Sequence, residues 1–400
     1  MCLLILSALG LQPGSELKEY RPIRQLFDQT HMYSGQHYKI IKRIRDITDF
    51  LPTIVTSAIR QLSQPNYPDM SAQTDPQPAD YAGLTPDTLL DAIEQCGYLS
   101  DGRFLALNSY ENRVYQIGIE DNTPIIAKFY RPGRWSTEAI IEEHAFSLAL
   151  LEQEMPVVAP LIINDTSLHT FNGYRFALFP RQGGHWPELN TQEYREWMGR
   201  FIARIHMVGA SQDFSHRPTL DIDSFGFKSY QFLLTEGFIP AHIEIAYRTL
   251  AEDLLQQITE IYNNAGNINT IRLHGDCHPG NILWTDHGPH FVDLDDCRTG
   301  PAIQDIWMLI SGDRHEMQTQ LIDIMEGYLQ FRDFDHRELL LIEPLRTLRI
   351  MHYAAWLARR WEDPAFPRAF PWFNTPRFWE EHVLSLREQA SLLSEPALVI

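Results

Sequence analysis

The sequence predicts an α+β chain of two lobes, a small one built on an antiparallel sheet and a larger, mainly helical one that follows it. Three observations predict this. Apolar and polar residues alternate on both sides of Asp121-Asn122-Thr123-Pro124, which reads as a hairpin. A second two-residue turn, Asn172-Gly173, leads into the apolar run Phe176-Ala177-Leu178-Phe179. Beyond Arg181-Gln182-Gly183-Gly184 the apolar residues recur with a helical period instead.

At 400 residues the chain has room for two lobes with separate cores, and its 44% hydrophobic content is that of a globular protein. Residues 1–69 carry eight Lys/Arg and six Asp/Glu, a net of +2, so the remaining 331 residues hold −21 of the overall −19. With the polar, proline-containing stretch Ser63 to Asp69, this shift marks 1–69 as a poorly defined extension, either a mispredicted start with Met70 as the expected true one or a loosely attached appendage. The small lobe with its hinge is expected over 70–182 and the large lobe over 183–400.

The small lobe opens with a short amphipathic helix after Thr85 that carries Leu89, Leu90, Ala92 and Ile93. Val114 to Ile119 and Ile125 to Tyr130 then make the first hairpin. Pro132-Gly133 breaks the chain, and Ser136-Thr137 are good caps for a helix running to Gln153 with Ile141, Ala145 and Leu148 along one face. Two more strands meet at Asn172-Gly173, the second closing at Pro180. In the large lobe helical stretches are expected at 194–207, 243–262, 302–330 and 338–360.

Charge and composition exclude several functions. A net charge of −19 argues against a nucleic-acid partner, which requires a dense positive surface. The apolar opening Leu3 to Leu11 falls short of the roughly 20 residues that span a bilayer, so no membrane segment is expected. Cys2, Cys96, Cys277 and Cys297 have neither metal-ligand spacing nor the look of a disulfide framework. A reducing cytoplasm and a monomeric state are expected.

Chemistry concentrates in Leu273-His274-Gly275-Asp276-Cys277-His278-Pro279-Gly280-Asn281-Ile282-Leu283, followed by Phe291-Val292-Asp293-Leu294-Asp295-Asp296. Asn281 opens an apolar strand, turn residues follow, and His290 to Val292 returns antiparallel, so Asn281 and Asp293 face each other at a hairpin's open end. Two oxygen donors at one point suit Mg²⁺, which completes its shell with water and nucleotide phosphates. Asp276, five residues before Asn281 in a Gly/Pro-punctuated loop, is placed to accept a proton from an attacking hydroxyl. Taken singly, these residues would pass as turn formers and a solvated acidic run; their coincidence argues for phosphoryl transfer. A zinc site on His274, Cys277 and His278 lacks a fourth ligand and matches no standard spacing.

These segments resemble the aminoglycoside phosphotransferase and choline kinase branch of the kinase-like superfamily, in which His-Gly-Asp replaces the His-Arg-Asp of typical protein kinases. More narrowly, the chain from Met70 to Glu395 is similar to a bacterial group of stress-response serine/threonine protein kinases. The similarity also rests on Leu107 to Tyr115, Ala127 to Pro132, Gly300 to Asp305 and Trp361 to Pro367.

The resemblance implies a bilobal protein-kinase-like fold, ATP with Mg²⁺ as cofactors, and a protein substrate with a Ser/Thr acceptor, the alternative being a small-molecule kinase with an aminoglycoside or choline-like amino-alcohol acceptor. It implies that Asp276 and Asp293 are catalytic and that Asn281 and Asp293 hold the metal. Lys128 takes the place of the phosphate-binding lysine. Glu143 is the expected carboxylate partner and Glu142 the alternative, since adjacent helix positions point about 100° apart. Ser109 stands in the nucleotide-covering loop, which lacks GxGxxG, and Arg113 would add charge there. Ala177 to Gln182 is the expected hinge against adenine. Asp305 is a structural brace of the catalytic loop, and the aromatic stretch Trp356 to Phe373 either floors the acceptor cleft or packs in the core.

Overall fold

A computed structural model of the chain describes residues 80–107 and 109–400. The expected boundary at residue 69 and the start at Met70 lie outside the described residues, as does Asn108 of the expected covering loop.

Helix α1 (Pro86–Gln95) begins where the Thr85 hydroxyl accepts the backbone N–H of Thr88, and buries Leu89, Ala92 and Ile93. Five antiparallel strands follow in the order β1-β2-β3-β5-β4: β1 (Ser100–Ala106), β2 (Arg113–Ile119), β3 (Ile125–Phe129), β4 (His169–Phe171) and β5 (Tyr174–Pro180). Strand alternation sorts the faces. Ala127 and Phe129 pack with Ile117, Phe176 and Leu178 against α1, while Lys128, in register with Val114 and Ala177, points the other way.

Helix α2 (Thr137–Glu152) is capped by the Ser136 hydroxyl, which accepts from the Ala139 N–H. Its buried face corrects the sequence expectation. Ile141 is exposed and Ala145 faces out, whereas Ile140, Glu143, His144, Phe146 and Ser147 turn inward. Polar partners set the rotation: Glu143 reaches Lys128, and His144 Nε2 lies 2.7 Å from the Tyr130 hydroxyl. A search for an apolar stripe therefore selects the wrong face.

The large lobe contains α3 (Gln192–Gly209), α4 (Lys228–Thr235), α5 (Glu244–Ala265), α6 (Ile303–Trp307), α7 (Arg314–Tyr328), α8 (Ile342–Arg359), α9 (Ala365–Ala369) and α10 (Pro376–Leu392). The stretch expected as helical over 302–330 is two helices. Asp313 starts α7 anew with a capping box, its side chain accepting from Glu316 N–H while the Glu316 carboxylate accepts from Asp313 N–H. Helices α3 and α7 pack backbone to backbone: a Cβ at Gly199 would collide with the Ile324 carbonyl, and one at Gly327 with the Glu196 carbonyl. Two short sheets, β6 (Ile271–Leu273) with β9 (Arg298–Gly300) and β7 (Ile282–Thr285) with β8 (Gly288–Phe291), carry the conspicuous motif. No helix of the described residues is long and apolar enough to cross a membrane.

Candidate active site

Strand β6 delivers His274, Gly275 and Asp276 to the cleft, and a buried carboxylate holds the turn that follows. Asp305 accepts the backbone N–H of His274 and of Gly275, each at 2.8 Å, and lies 3.3 Å from His206 Nε2. Gly275 has φ +82°, and a Cβ there would meet the Asp296 carbonyl, so both conformation and space require glycine. The chain then passes through the turn Pro279–Asn281 into β7, and Val292 N–H donates to the Asn281 carbonyl at 3.0 Å. Asn281 and Asp293 accordingly flank the open end of the β7–β8 hairpin.

The Asn281 amide donates to the Asp276 carbonyl at 2.9 Å and to its carboxylate at 3.2 Å. Its own Oδ1 accepts from no donor among the described residues. Asp293 sits at φ 58°, ψ 64°, a left-handed conformation that Asp tolerates better than most side chains. Its carboxylate is 55% exposed, with Oδ1 on Lys128 and Oδ2 without a donor among the described residues. These two oxygens, Asn281 Oδ1 and Asp293 Oδ2, are hard ligands free of hydrogen-bond donors among the described residues, and they fit a hard divalent cation.

The Asp276 carboxylate lies 2.7 Å from Arg349 Nη1 and 3.5 Å from His278 Nε2. Burial pushes its pKa up, but the His278 hydrogen bond and the Arg349 charge outweigh that and hold it at about 2. It is ionised at neutral pH.

On the opposite side of the cleft, Lys128 is buried among three carboxylates: Asp293 Oδ1 at 3.1 Å, Glu143 Oε1 at 3.3 Å and Asp295 Oδ1 at 3.3 Å. Burial disfavours the ammonium, but the three negative charges raise its pKa well above the usual lysine value. Burial drives Glu143 up to about 7 against the pull of Lys128. Glu142 does other work: it accepts the backbone N–H groups of Ser215, His216 and Arg217. Asp295 also pairs with Arg134, and Asp296 with Arg134 at 2.8 Å and Arg298 at 2.8 Å. The acidic run is therefore mostly an internal ion-pair network rather than a solvated face.

The β1–β2 loop is tied to the large lobe. Glu111 accepts from Trp356 Nε1 at 2.7 Å and pairs with Arg360 at 2.6 Å and Arg131 at 2.9 Å; Arg131 also meets Asp363 at 2.7 Å. Tyr110 stacks edge-on against Phe370, ring centres 4.8 Å apart. Ser109, with no hydrogen bond among the described residues, lines a cleft of about 390 Å³ with Tyr110, Arg113, Ala365 and Arg368.

Residues 103–342 match the pattern of the Phosphotransferase enzyme family. The chain belongs to that family. Stress response kinase A of Escherichia coli O157:H7 is 44% identical over 315 residues, 79% of this chain and 95% of the relative. The serine/threonine protein kinase RdoA of Salmonella typhimurium matches with the same identity and coverage. Among solved structures, an amicoumacin kinase, hAmiN, in complex with AMP-PNP, Ca²⁺ and Ami superposes with a TM-score of 0.56 at 17% identity, over 73% of this chain and 92% of that one. The fold is kinase-like, and the chain is a kinase of the phosphotransferase family.

In this phosphotransferase the residues singled out from sequence fall into two groups. Lys128 contacts Glu143 and Asp293, Asn281 contacts Asp276, and the Val292 N–H bond to the Asn281 carbonyl sets Asp293 next to Asn281. Ser109 stands apart, since Lys128 does not line its cleft. Arg113 is already engaged, its guanidinium 4.5 Å from the Tyr81 ring centre and 3.8 Å from Asp363. Of the aromatic stretch, Phe366 and Phe373 are core, and Trp356 and Phe370 bridge to the covering loop. Sequence reasoning missed Asp295, Arg134, Glu111 and Arg349. Asp295, two residues beyond Asp293, carried a local signal; Arg349 sits mid-helix and carried none.

Proposed function

We propose that this phosphotransferase is an ATP- and Mg²⁺-dependent serine/threonine protein kinase of a bacterial stress response, acting as a cytoplasmic monomer. The observation that carries the phosphoryl-transfer site is the convergence on Lys128 of Glu143 from the small lobe and Asp293 from the large one. The Ser/Thr acceptor is supported by the name of the Salmonella relative at 44% identity. Buried, unpaired Cys96, Cys277 and Cys297 suit a reducing compartment.

Asn281 and Asp293 would hold Mg²⁺, which when bound neutralises charge on the transferring phosphates. Lys128, fixed by Glu143, orients the α- and β-phosphates, and the Ser109 hydroxyl with neighbouring backbone N–H groups covers them. The backbone of Ala177 to Gln182 meets the adenine. Asp276 accepts a hydrogen bond from the acceptor hydroxyl and aims its oxygen at the γ-phosphorus. As that P–O bond forms, the bond to the β-bridging oxygen breaks, ADP leaves, and the hydroxyl proton passes to Asp276. The His278 hydrogen bond and the Arg349 charge lower the basicity of Asp276, so orientation outweighs basicity in its contribution.

The test is purified protein with Mg²⁺ and labelled ATP, offered generic protein substrates and a panel of amino alcohols and aminoglycosides in parallel. Label should appear as phosphoserine or phosphothreonine on added protein or on the enzyme itself, and vanish with Asp276→Ala while nucleotide binding persists. Efficient labelling of the small molecules with none on protein would overturn the reading.

A further inference from the structure

The acceptor side of Asp276 is cationic. Arg349, on α8, has its guanidinium 2.7 Å from Asp276 Oδ1, its side chain is 39% exposed, and Asp276 is its only acidic partner among the described residues. The other arginines around the site are committed. Arg134 is held by Asp295 and Asp296, Arg298 by Asp296, and Arg217 by the carbonyls of Asp295 and Cys297. One helical turn beyond Arg349, Tyr353 exposes its ring and stacks on Trp356, centres 5.7 Å apart, continuing the same face of α8 toward the covering loop.

Apart from Asp293, the neighbouring carboxylates are already paired. Asp295 and Asp296 are paired as above, Glu111 is paired with Arg131 and Arg360, and Asp363 with Arg131. A cationic amine entering beside Asp276 would meet Arg349 first, and the one neighbouring carboxylate with a free oxygen, Asp293, is the residue proposed to hold the metal. A guanidinium presents five N–H donors in a fork, so Arg349 can keep one on Asp276 and turn the rest to an incoming anion. The net charge of −19 repels an acidic ligand at long range, but exposed charges are screened beyond about 10 Å at 0.1 M salt, and the contact is local.

We infer that Arg349 is a specificity-determining residue that selects acceptor hydroxyls lying next to an acidic side chain, and against acceptors carrying a positive charge. The inference rests on the protein-kinase reading above. Residues along an extended peptide are spaced about 3.3–3.6 Å apart, and Arg349 adjoins the carboxylate that receives the hydroxyl. The acidic residue is therefore expected within two positions of the Ser or Thr.

The experiment compares kcat/KM, with Mg²⁺-ATP, for serine peptides identical except for Glu or Lys at each position from −2 to +2, in wild type, Arg349→Gln and Arg349→Glu. Wild type should prefer the best Glu peptide by about tenfold or more, the worth of one charge-assisted contact. Arg349→Gln should bring the ratio near one, and Arg349→Glu should invert it. Because Asp276 chemistry is common to all peptides, a general loss of catalysis lowers every rate but leaves the ratio unchanged. A wild-type preference for Lys, no preference, or a preference that survives in Arg349→Gln would each overturn the inference while leaving the kinase reading standing. If a variant does not fold, a wild-type ratio near one or favouring Lys still overturns the inference, and the other variant attributes a Glu preference to Arg349. Label on cationic amino alcohols with none on any peptide would overturn both.

Discussion

Replacing Asp305 with alanine should cost more than any surface change near the cleft, because this carboxylate closes the turn that carries Asp276. Its two oxygens satisfy the His274 and Gly275 N–H groups at 2.8 Å, and one also meets His206 Nε2, all fully buried. A buried donor left without a partner costs about 1–3 kcal/mol, so the two backbone N–H groups alone set the loss in Asp305→Ala at roughly 2–6 kcal/mol. That is a large share of the ~5–15 kcal/mol that holds a typical domain together. Asp305→Asn keeps one acceptor but turns an amide N–H₂ against a backbone N–H, so it should fall between the two. Urea unfolding followed by tryptophan fluorescence would give the midpoint and slope for each protein, with nucleotide binding and turnover measured alongside. Turnover should fall more than nucleotide binding, since the loop carries Asp276 while Lys128 sits on the other lobe. An Asp305→Ala protein less than about 1 kcal/mol destabilised, with normal turnover, would refute the brace.

Asp293→Asn should weaken binding of nucleotide with Mg²⁺ more than without it, measured by titration in both conditions; equal losses would assign Asp293 a structural role. Glu338, buried and accepting the Ile303 N–H at 2.9 Å, has its pKa raised by burial from 4.5 to about 7. A raised carboxyl pKa stabilises the fold fully below pH 4.5 and loses that contribution as pH rises through 7. Glu338→Gln should therefore flatten a decline of up to a few kcal/mol over that window, read from unfolding midpoints between pH 5 and 8. Gly199→Ala should lower the unfolding temperature by several degrees by forcing α3 off the Ile324 carbonyl, and a Tm within a degree of wild type would show that the helices separate without cost.

Local signals made much of this architecture legible. The Asn172-Gly173 turn, with φ of 48° and 78°, needs residues that tolerate left-handed backbone, and the sequence advertises them. Lys128 was readable because strand alternation separates it from Ala127 and Phe129. The β7–β8 hairpin placed Asn281 beside Asp293 because both ends of a short ladder are set by its turn. The rotation of α2 was not legible, since its inward face holds Glu143 and His144, whose partners come from β3, the residue just after it and the segment before β4. Edge strand β1 has an irregular register against β2 and exposed side chains, so it lacks the half-buried alternation that marks its neighbours. Arg349 became a site residue only through the approach of α8 to a loop 73 positions earlier in the chain, a proximity no local pattern encodes.

The Glu111 junction determines what it takes to part the lobes. Separating the covering loop from α8 and the segment after it parts Tyr110 from Phe370 and breaks the Glu111–Arg360, Glu111–Trp356 and Arg131–Asp363 contacts together. Opposition to opening is therefore mainly charge against charge, and added salt should relieve it where it would tighten an apolar seal. If release of spent nucleotide requires that movement, turnover should quicken between low and moderate ionic strength, and Glu111→Gln should make it both faster and insensitive to salt.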